Sequence, residues 1–180
     1  SFMKHFALND QETKRTEMLC TWTNEQAMRE IYLKPFEMSV KEGGAQAVMS
    51  AFNYIGNTYA GGNNVLLNTV LRDEWGFKGF VISDAFAVQS LENHGFAADN
   101  ADAAQRGLQA GVTMDMASNT YLRQLPALVK AGKVAMRTVD DAVREVLSVK
   151  LRMGLFEQPY GAPERKAAVF NDPAHRAATR

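Results

Sequence analysis

A carboxylate at the end of an apolar run is the first feature of this sequence that could do chemistry. In Phe80-Val81-Ile82-Ser83-Asp84 the β-branched and aromatic residues predict a buried strand, which would hold Asp84 on a rigid element at the strand's carboxyl end. A carboxylate so placed can serve as a nucleophile, or it can do no more than cap the turn or helix that follows. Lys4-His5-Phe6 ends a second predicted strand. It offers a cation and a hydrogen-bonding ring, the donors that sugar hydroxyls need, or else a surface lysine beside a satisfied histidine. Lys4 also has the chemistry of a Schiff-base lysine, although nothing near it in sequence desolvates it or supplies a phosphate loop.

Other candidates are weighed against structural roles. Glu12 and Arg15, at i and i+3, suit a local pair bracing the loop after Lys4-His5-Phe6 better than a substrate contact. Asp115 could support a pocket floor. His94 and His175 lack partners at metal-ligand spacing and read as surface residues. Trp22 and Trp75 read as packing residues, with Trp22 the better sugar platform of the two.

What must position these groups is a succession of strands and helices. Apolar runs at Phe2 to Leu8, Ala47 to Phe52, Gly79 to Ser83 and Val112 to Met116 predict strands buried on both faces. Each precedes a helical pattern. The first helix is expected to open near Thr23, where Thr23 and Gln26 have capping-box spacing, to kink at Pro35 and to stop at Gly43-Gly44. Others are expected over Asn64 to Trp75, Ala101 to Ala110, Tyr121 to Lys130 and Thr138 to Met153, each with a glycine just beyond its end.

Strand followed by helix, four times over, implies an α/β fold with parallel strands, either a doubly wound sheet or a barrel. Periodicity does not choose between them. In both, functional groups collect at the carboxyl ends of the strands, here Lys4 to Asp10, Phe52 to Asn57, Ser83 to Phe86 and Asp115 to Asn119. From Phe156 the pattern gives way to Pro159, Gly161, Pro163 and Pro173, the composition of a linker or tail.

Composition narrows the classes further. The chain has 180 residues, short of the ~250 that a complete eight-stranded α/β barrel takes. Apolar residues at 46% and charged residues at 22% exclude wholesale disorder. Twenty basic and twenty acidic residues are interspersed, with no basic stripe or polybasic patch, so neither nucleic acid nor a membrane surface is expected as a partner. Cys20 is the one cysteine, which excludes an internal disulfide and a cysteine-based metal site; no metal or cofactor is expected. No apolar run approaches the ~18 residues of a membrane span, and the opening Ser1-Phe2-Met3-Lys4-His5 lacks signal-peptide regions. The chain is expected to begin inside a strand, so localisation stays open.

The ordered motifs resemble glycoside hydrolase family 3, the β-glucosidase and β-xylosidase family. Lys4-His5-Phe6 with Asn9-Asp10-Gln11-Glu12 and Arg15 is similar to its Lys-His-Phe strand, and Arg29-Glu30-Ile31-Tyr32-Leu33 with Pro35-Phe36-Glu37 to its following helix. Val48-Met49-Ser50-Ala51-Phe52-Asn53 resembles another strand of the family. Glu74-Trp75-Gly76-Phe77 with Gly79-Phe80-Val81-Ile82-Ser83-Asp84 is the most specific match. Ala110-Gly111-Val112, Met114-Asp115-Met116 and the stretch from Val139 to Phe156 extend the resemblance over almost the whole chain.

The resemblance implies an exo-acting retaining β-glycosidase, with Asp84 attacking the anomeric carbon, Lys4 and His5 binding sugar hydroxyls, and Met49 lining the same subsite. A lysine close to Asp84 would keep its carboxyl charged, as a nucleophile and not a general acid requires. The resemblance also implies that residues 1–155 are the C-terminal half of a (β/α)₈ TIM-like barrel and that 156–180 form a linker toward a second domain. Phe52 stands where many members carry a tyrosine that contacts the nucleophile, and Ala85 where a tryptophan often follows it. The second carboxyl group, the acid/base, is expected from the following domain, beyond Arg180, since Ala7-Leu8-Asn9-Asp10 lacks the histidine loop of the N-acetylglucosaminidase branch. The first half-barrel would then also lie outside these residues. A non-catalytic carbohydrate-binding barrel fragment and a Schiff-base enzyme using Lys4 stand as alternatives.

Overall fold

The computed structural model describes residues 2–170 and 172–178, and it divides into two compact units, 1–149 and 150–180. In the first unit, strands β1 (Met3–Phe6), β3 (Ala47–Ser50) and β6 (Phe80–Ile82) form a parallel sheet in the order β1-β3-β6. The pairing sets Met3 against Val48 and Val48 against Val81, and Met49 against Ile82. The α/β class and parallel strands expected from the sequence are therefore present. The fourth expected strand, Val112 to Met116, is reduced to a single parallel bridge between Ile82 and Met114. Its bonds to the sheet run to the β6 segment: Thr113 and Met114 N–H to the Val81 carbonyl, and Ser83 N–H to the Met114 carbonyl at 2.8 Å.

Both faces of the sheet are buried, as the continuous apolar runs demand. On one, Phe6, Val48 and Val81 pack with Leu33, Leu67, Leu71, Trp75 and Phe77. On the other, Ala47, Phe80 and Ile82 pack with Val149, Val146 and the half-buried Met49. A second small sheet was not legible in the sequence: β2 (Cys20–Thr21) pairs parallel with β4 (Tyr54–Ile55), which turns through Gly56 into antiparallel β5 (Thr58–Tyr59). Strands this short have no readable alternation.

The helices follow the expected order with revised ends. The first is broken into α1 (Glu25–Ala27), a π-type segment (Met28–Tyr32) and α2 (Lys34–Lys41). Its cap is Asn24, whose side chain accepts the Ala27 N–H at 2.8 Å, not Thr23. Pro35 falls in the first turn of α2, where its missing N–H costs nothing, so it starts a helix and kinks none. A second π-type helix, Val65–Glu74, carries Leu67, Val70 and Leu71 into the core. Short α3 (Ser90–Asn93) precedes α4 (Asn100–Ala110), which Asp99 caps and Gly111 ends at φ 107°. Then come α5 (Thr120–Lys130), with Pro126 inside it, and α6 (Met136–Arg152), which starts before the expected Thr138.

The second unit holds the last residues of α6, a 3₁₀ turn (Pro163–Arg165), α7 (Lys166–Phe170) and α8 (Pro173–Ala178). It is mostly exposed. These short helices occupy a stretch whose proline-rich composition predicts none; residues 171, 179 and 180 of the expected linker lie outside the described residues.

Gly79 is what lets β6 close on β3. A Cβ there would stand 2.0 Å from the Gln46 carbonyl oxygen, the acceptor of the Phe80 N–H. Gly76, by contrast, has a left-handed φ of 71° but open space where a Cβ would go. Gly79→Ala should therefore destabilise by about 3 kcal/mol or more, the upper end of overpacking, against about 1–2 kcal/mol for Gly76→Ala. Chemical unfolding of the two variants side by side checks this; equal losses would refute the close approach.

Candidate active site

The geometry around Asp84 starts from how the strand end is fixed. Ser83 donates its N–H to the Met114 carbonyl, and its Oγ accepts the Met116 N–H at 2.9 Å. Asp84 itself is only 8% exposed. Its Oδ1 accepts the Ala85 N–H at 2.8 Å. Its Oδ2 lies 3.3 Å from both Arg15 Nη1 and His5 Nε2. The strand-terminal aspartate thus meets a turn N–H, as a cap would, and also the side chains of a site.

Arg15 does more than its i, i+3 spacing from Glu12 predicts. It makes the expected local pair, Nε to Glu12 Oε1 at 2.8 Å, but its other arm crosses to Asp84, 69 positions away. Its guanidinium also lies over the Phe52 ring, 5.1 Å from the centroid. Phe52 is buried, so one face of the arginine is held by an aromatic wall while its edges bind two carboxylates. Such a contact cannot be read from i, i+3 spacing; the loop's fold decides it.

Of the other candidates, His5 is brought to Asp84 and Lys4 is not shown in contact with it. Lys4 is exposed and, with His5, Asn9, Asp10, Tyr32 and Phe36, lines a cleft of about 390 Å³. Burial pushes the His5 imidazole below its ordinary value; Asp84 pulls it up, and Lys4 and Arg15 push it down again. Met49 is half-buried on the sheet face that carries Ile82, its cross-strand partner two residues before Asp84. Asp115 serves its own loop: it accepts from Ser118 Oγ at 2.6 Å and Tyr121 N–H at 3.2 Å, on the edge of an apolar cavity of about 650 Å³.

Two expectations are corrected here. His94 is 4% exposed, between Tyr54 and Tyr59, with ring centroids at 6.3 and 5.3 Å. It is a buried residue because the small second sheet, unforeseen in the sequence, folds over it. Trp22 is 75% exposed and packs no core, while Trp75 is a core residue as expected. His175 is exposed, also as expected. Tyr59, unremarked in the sequence, is fully buried, donates its hydroxyl to the Ala87 carbonyl at 3.2 Å, and has that hydroxyl pushed up by burial and, to a lesser degree, by Tyr54 and Asp84. Among the described residues no three His, Cys, Asp or Glu side chains converge as metal ligands.

Residues 1–149 match the model of the glycosyl hydrolase family 3 N-terminal domain. A periplasmic β-glucosidase of Salmonella typhimurium is 44% identical over 88% of the chain, and β-glucosidase B of Emericella nidulans is 42% identical over 97%. The chain spans only about a fifth of these relatives, 20% and 19% of their lengths. Among solved structures, a β-glucosidase from Erythrobacter marinus superposes with a TM-score of 0.87 at 34% identity, covering 97% of this chain and 23% of that one. The β-glucosidase of Listeria innocua in complex with glucose gives 0.85 at 33% identity, covering 95% and 24%.

The electrostatics make a prediction with a definite sign. His5 should titrate below 6.5, Asp84→Asn should lower it further by removing the leading influence that favours the imidazolium, and Lys4→Gln should raise it. NMR titration of the His5 ring in the three proteins reads this directly. A His5 that titrates above 6.5, or rises in Asp84→Asn, would contradict the arrangement.

Proposed function

The chain belongs to glycosyl hydrolase family 3, and on that footing we propose that it carries the nucleophile and part of the sugar pocket of a retaining, exo-acting glycosidase that acts on β-glucosides. The observation that carries this reading is the setting of Asp84. It is a nearly buried carboxylate on a strand end, fixed through one oxygen by a backbone N–H and through the other by Arg15 and His5. Held this way, it can approach an anomeric carbon from a fixed direction. Bond formation from Asp84 to that carbon, as the bond to the leaving oxygen breaks, gives a glycosyl-enzyme ester, which water later cleaves. Lys4 and His5, on one cleft, are the proposed donors to sugar hydroxyls, and Met49 and Phe52, outside that cleft's lining, are proposed as apolar walls of the same sugar subsite. The β-glucosidase names of the relatives, and the glucose bound to the Listeria innocua enzyme, support glucose as the glycone.

The leaving oxygen needs a proton from a second carboxyl group about 5 Å from the nucleophile. Glu12 suits this poorly: it is bonded to Arg15 and exposed, without the apolar surround of a proton-donating carboxyl. We assign the acid/base to a part of the protein outside these residues, in keeping with a chain that spans a fifth of its relatives.

The architecture we infer is the C-terminal half of a (β/α)₈ barrel over 1–155, with 156–180 leading to a further domain. Strand order supports it: β1, β3, β6 and the Met114 bridge are neighbours in sequence order, with none of the reversal that marks a doubly wound sheet. By itself such a half would hydrolyse poorly, with open edges at β1 and Met114. The Schiff-base alternative is disfavoured because Lys4 is exposed and lacks the desolvating wall that imine chemistry uses.

Two experiments on the full-length protein test the assignment. Asp84→Gly should lower turnover by several orders of magnitude, with azide partly restoring it and giving the inverted glycosyl azide; near-normal turnover would sink the nucleophile role. Arg15→Met should lower kcat/KM about 10- to 100-fold, the worth of one charge-assisted hydrogen bond at the nucleophile. An unaffected Arg15→Met enzyme would return Arg15 to a bracing role alone.

A further inference from the structure

Phe86, two residues beyond Asp84, has a φ of 61°. That left-handed conformation suits glycine or asparagine; for a bulky aromatic residue it is an outlier held only where the surroundings enforce it. They do so here. The Phe86 N–H donates to the Met116 carbonyl at 2.9 Å, its carbonyl accepts Ser90 N–H at 2.9 Å and Ser90 Oγ at 3.0 Å, and the Ala87 N–H closes the turn onto the Asp84 carbonyl at 3.0 Å.

All these bonds use the backbone, so glycine would make them without strain. The ring is not compensated by core packing either. It is 53% exposed, whereas Asp84 before it and Ala87 and Val88 after it are buried. Ala85, between nucleophile and ring, offers no more than a methyl group. A large apolar ring is therefore kept in an unfavourable backbone conformation, partly in water, two residues beyond a buried carboxylate. Strain retained next to reacting groups, without benefit to the fold, marks a residue selected for what it touches in a complex.

We propose that Phe86 is the leaving-group platform of the Asp84 pocket, stacking against a sugar or aryl ring on the far side of the bond being cleaved and favouring glycosides with such ringed leaving groups. The inference rests on the glycosidase reading above. The difference in burial sets the side: the glycone must reach the buried Asp84, so the half-exposed ring two residues on is assigned to the part of the substrate that points outward. The ring's flat apolar face fits sugar C–H groups or an aromatic aglycone.

The test compares wild type, Phe86→Gly and Phe86→Trp in the full-length protein on three substrates: β-glucosyl fluoride, a p-nitrophenyl β-glucoside and a β-linked glucose disaccharide. Phe86→Gly should lower kcat/KM for the two ringed leaving groups about three- to tenfold more than for the fluoride, mostly through KM, and Phe86→Trp should restore the preference. The melting temperature of Phe86→Gly should equal or exceed that of wild type, because strain is removed. Equal losses on all three substrates, or no loss on any, would overturn the proposal. A lower melting temperature would do so as well, since the ring would then be packing against another part of the protein. Failure of wild type to turn over the fluoride would instead overturn the glycosidase reading beneath it.

Discussion

A carboxylate cannot be buried cheaply, and the way Asp84 is compensated organises everything around it. Each oxygen needs donors, or the charge would cost several kcal/mol in a setting that is 8% exposed. Ala85 supplies one from the backbone, which requires the tight turn after β6. Arg15 supplies another from a loop after β1, which requires that loop to fold back over the sheet. His5 stands at the same oxygen, and burial disfavours its charged form, so the arginine carries the compensating positive charge of the pair.

The loop bearing Arg15 is tied down by the small sheet. Thr21 Oγ1 donates to the Leu8 carbonyl at 3.3 Å and the Tyr54 N–H to the Leu19 carbonyl at 2.8 Å, so both flanks of the loop are anchored. Beneath it, Tyr54 donates its hydroxyl to the His94 carbonyl at 2.8 Å, and Tyr59 reaches the Ala87 carbonyl on the turn that follows Asp84. Burial keeps His94 below its ordinary value, so a neutral ring fills this aromatic cluster without placing a second cation under the site. Packing in the second sheet is thereby coupled to the position of both the turn after Asp84 and the Arg15 guanidinium beside it.

How much of this was legible follows from the range of each interaction. Periodicity and glycine stops are local, so the three strands of the parallel sheet and the order of the helices could be read directly. The place of Asp84 just past a strand could be read too, because a strand end is a local feature. Arg15 to Asp84, by contrast, joins residues 69 apart through a loop with no period, and β2, β4 and β5 are two residues each. His94 looked like a surface residue because nothing in its neighbourhood announces that Tyr54 and Tyr59 will close over it. The cap at Asn24 in place of Thr23 shows the same limit at smaller scale: both residue types cap well, and one position of register decided.

Phe52 shows how a departure from a family pattern can be absorbed by its surroundings. A tyrosine there would add a hydroxyl; phenylalanine offers only its ring, and the ring is used, as the face on which the Arg15 guanidinium lies. A planar cation pinned from one face loses less freedom when its edge donates to a carboxylate. The orienting interaction then passes from a neutral hydroxyl to a charge-assisted bond, worth about 1.5–3 kcal/mol against roughly 1 for a neutral one. Because that bond depends on where the Arg15 loop sits, the alignment of Asp84 rests on loop packing and not on strand β3 alone. A change at Tyr54 or His94 would on this account reach Asp84 through Arg15.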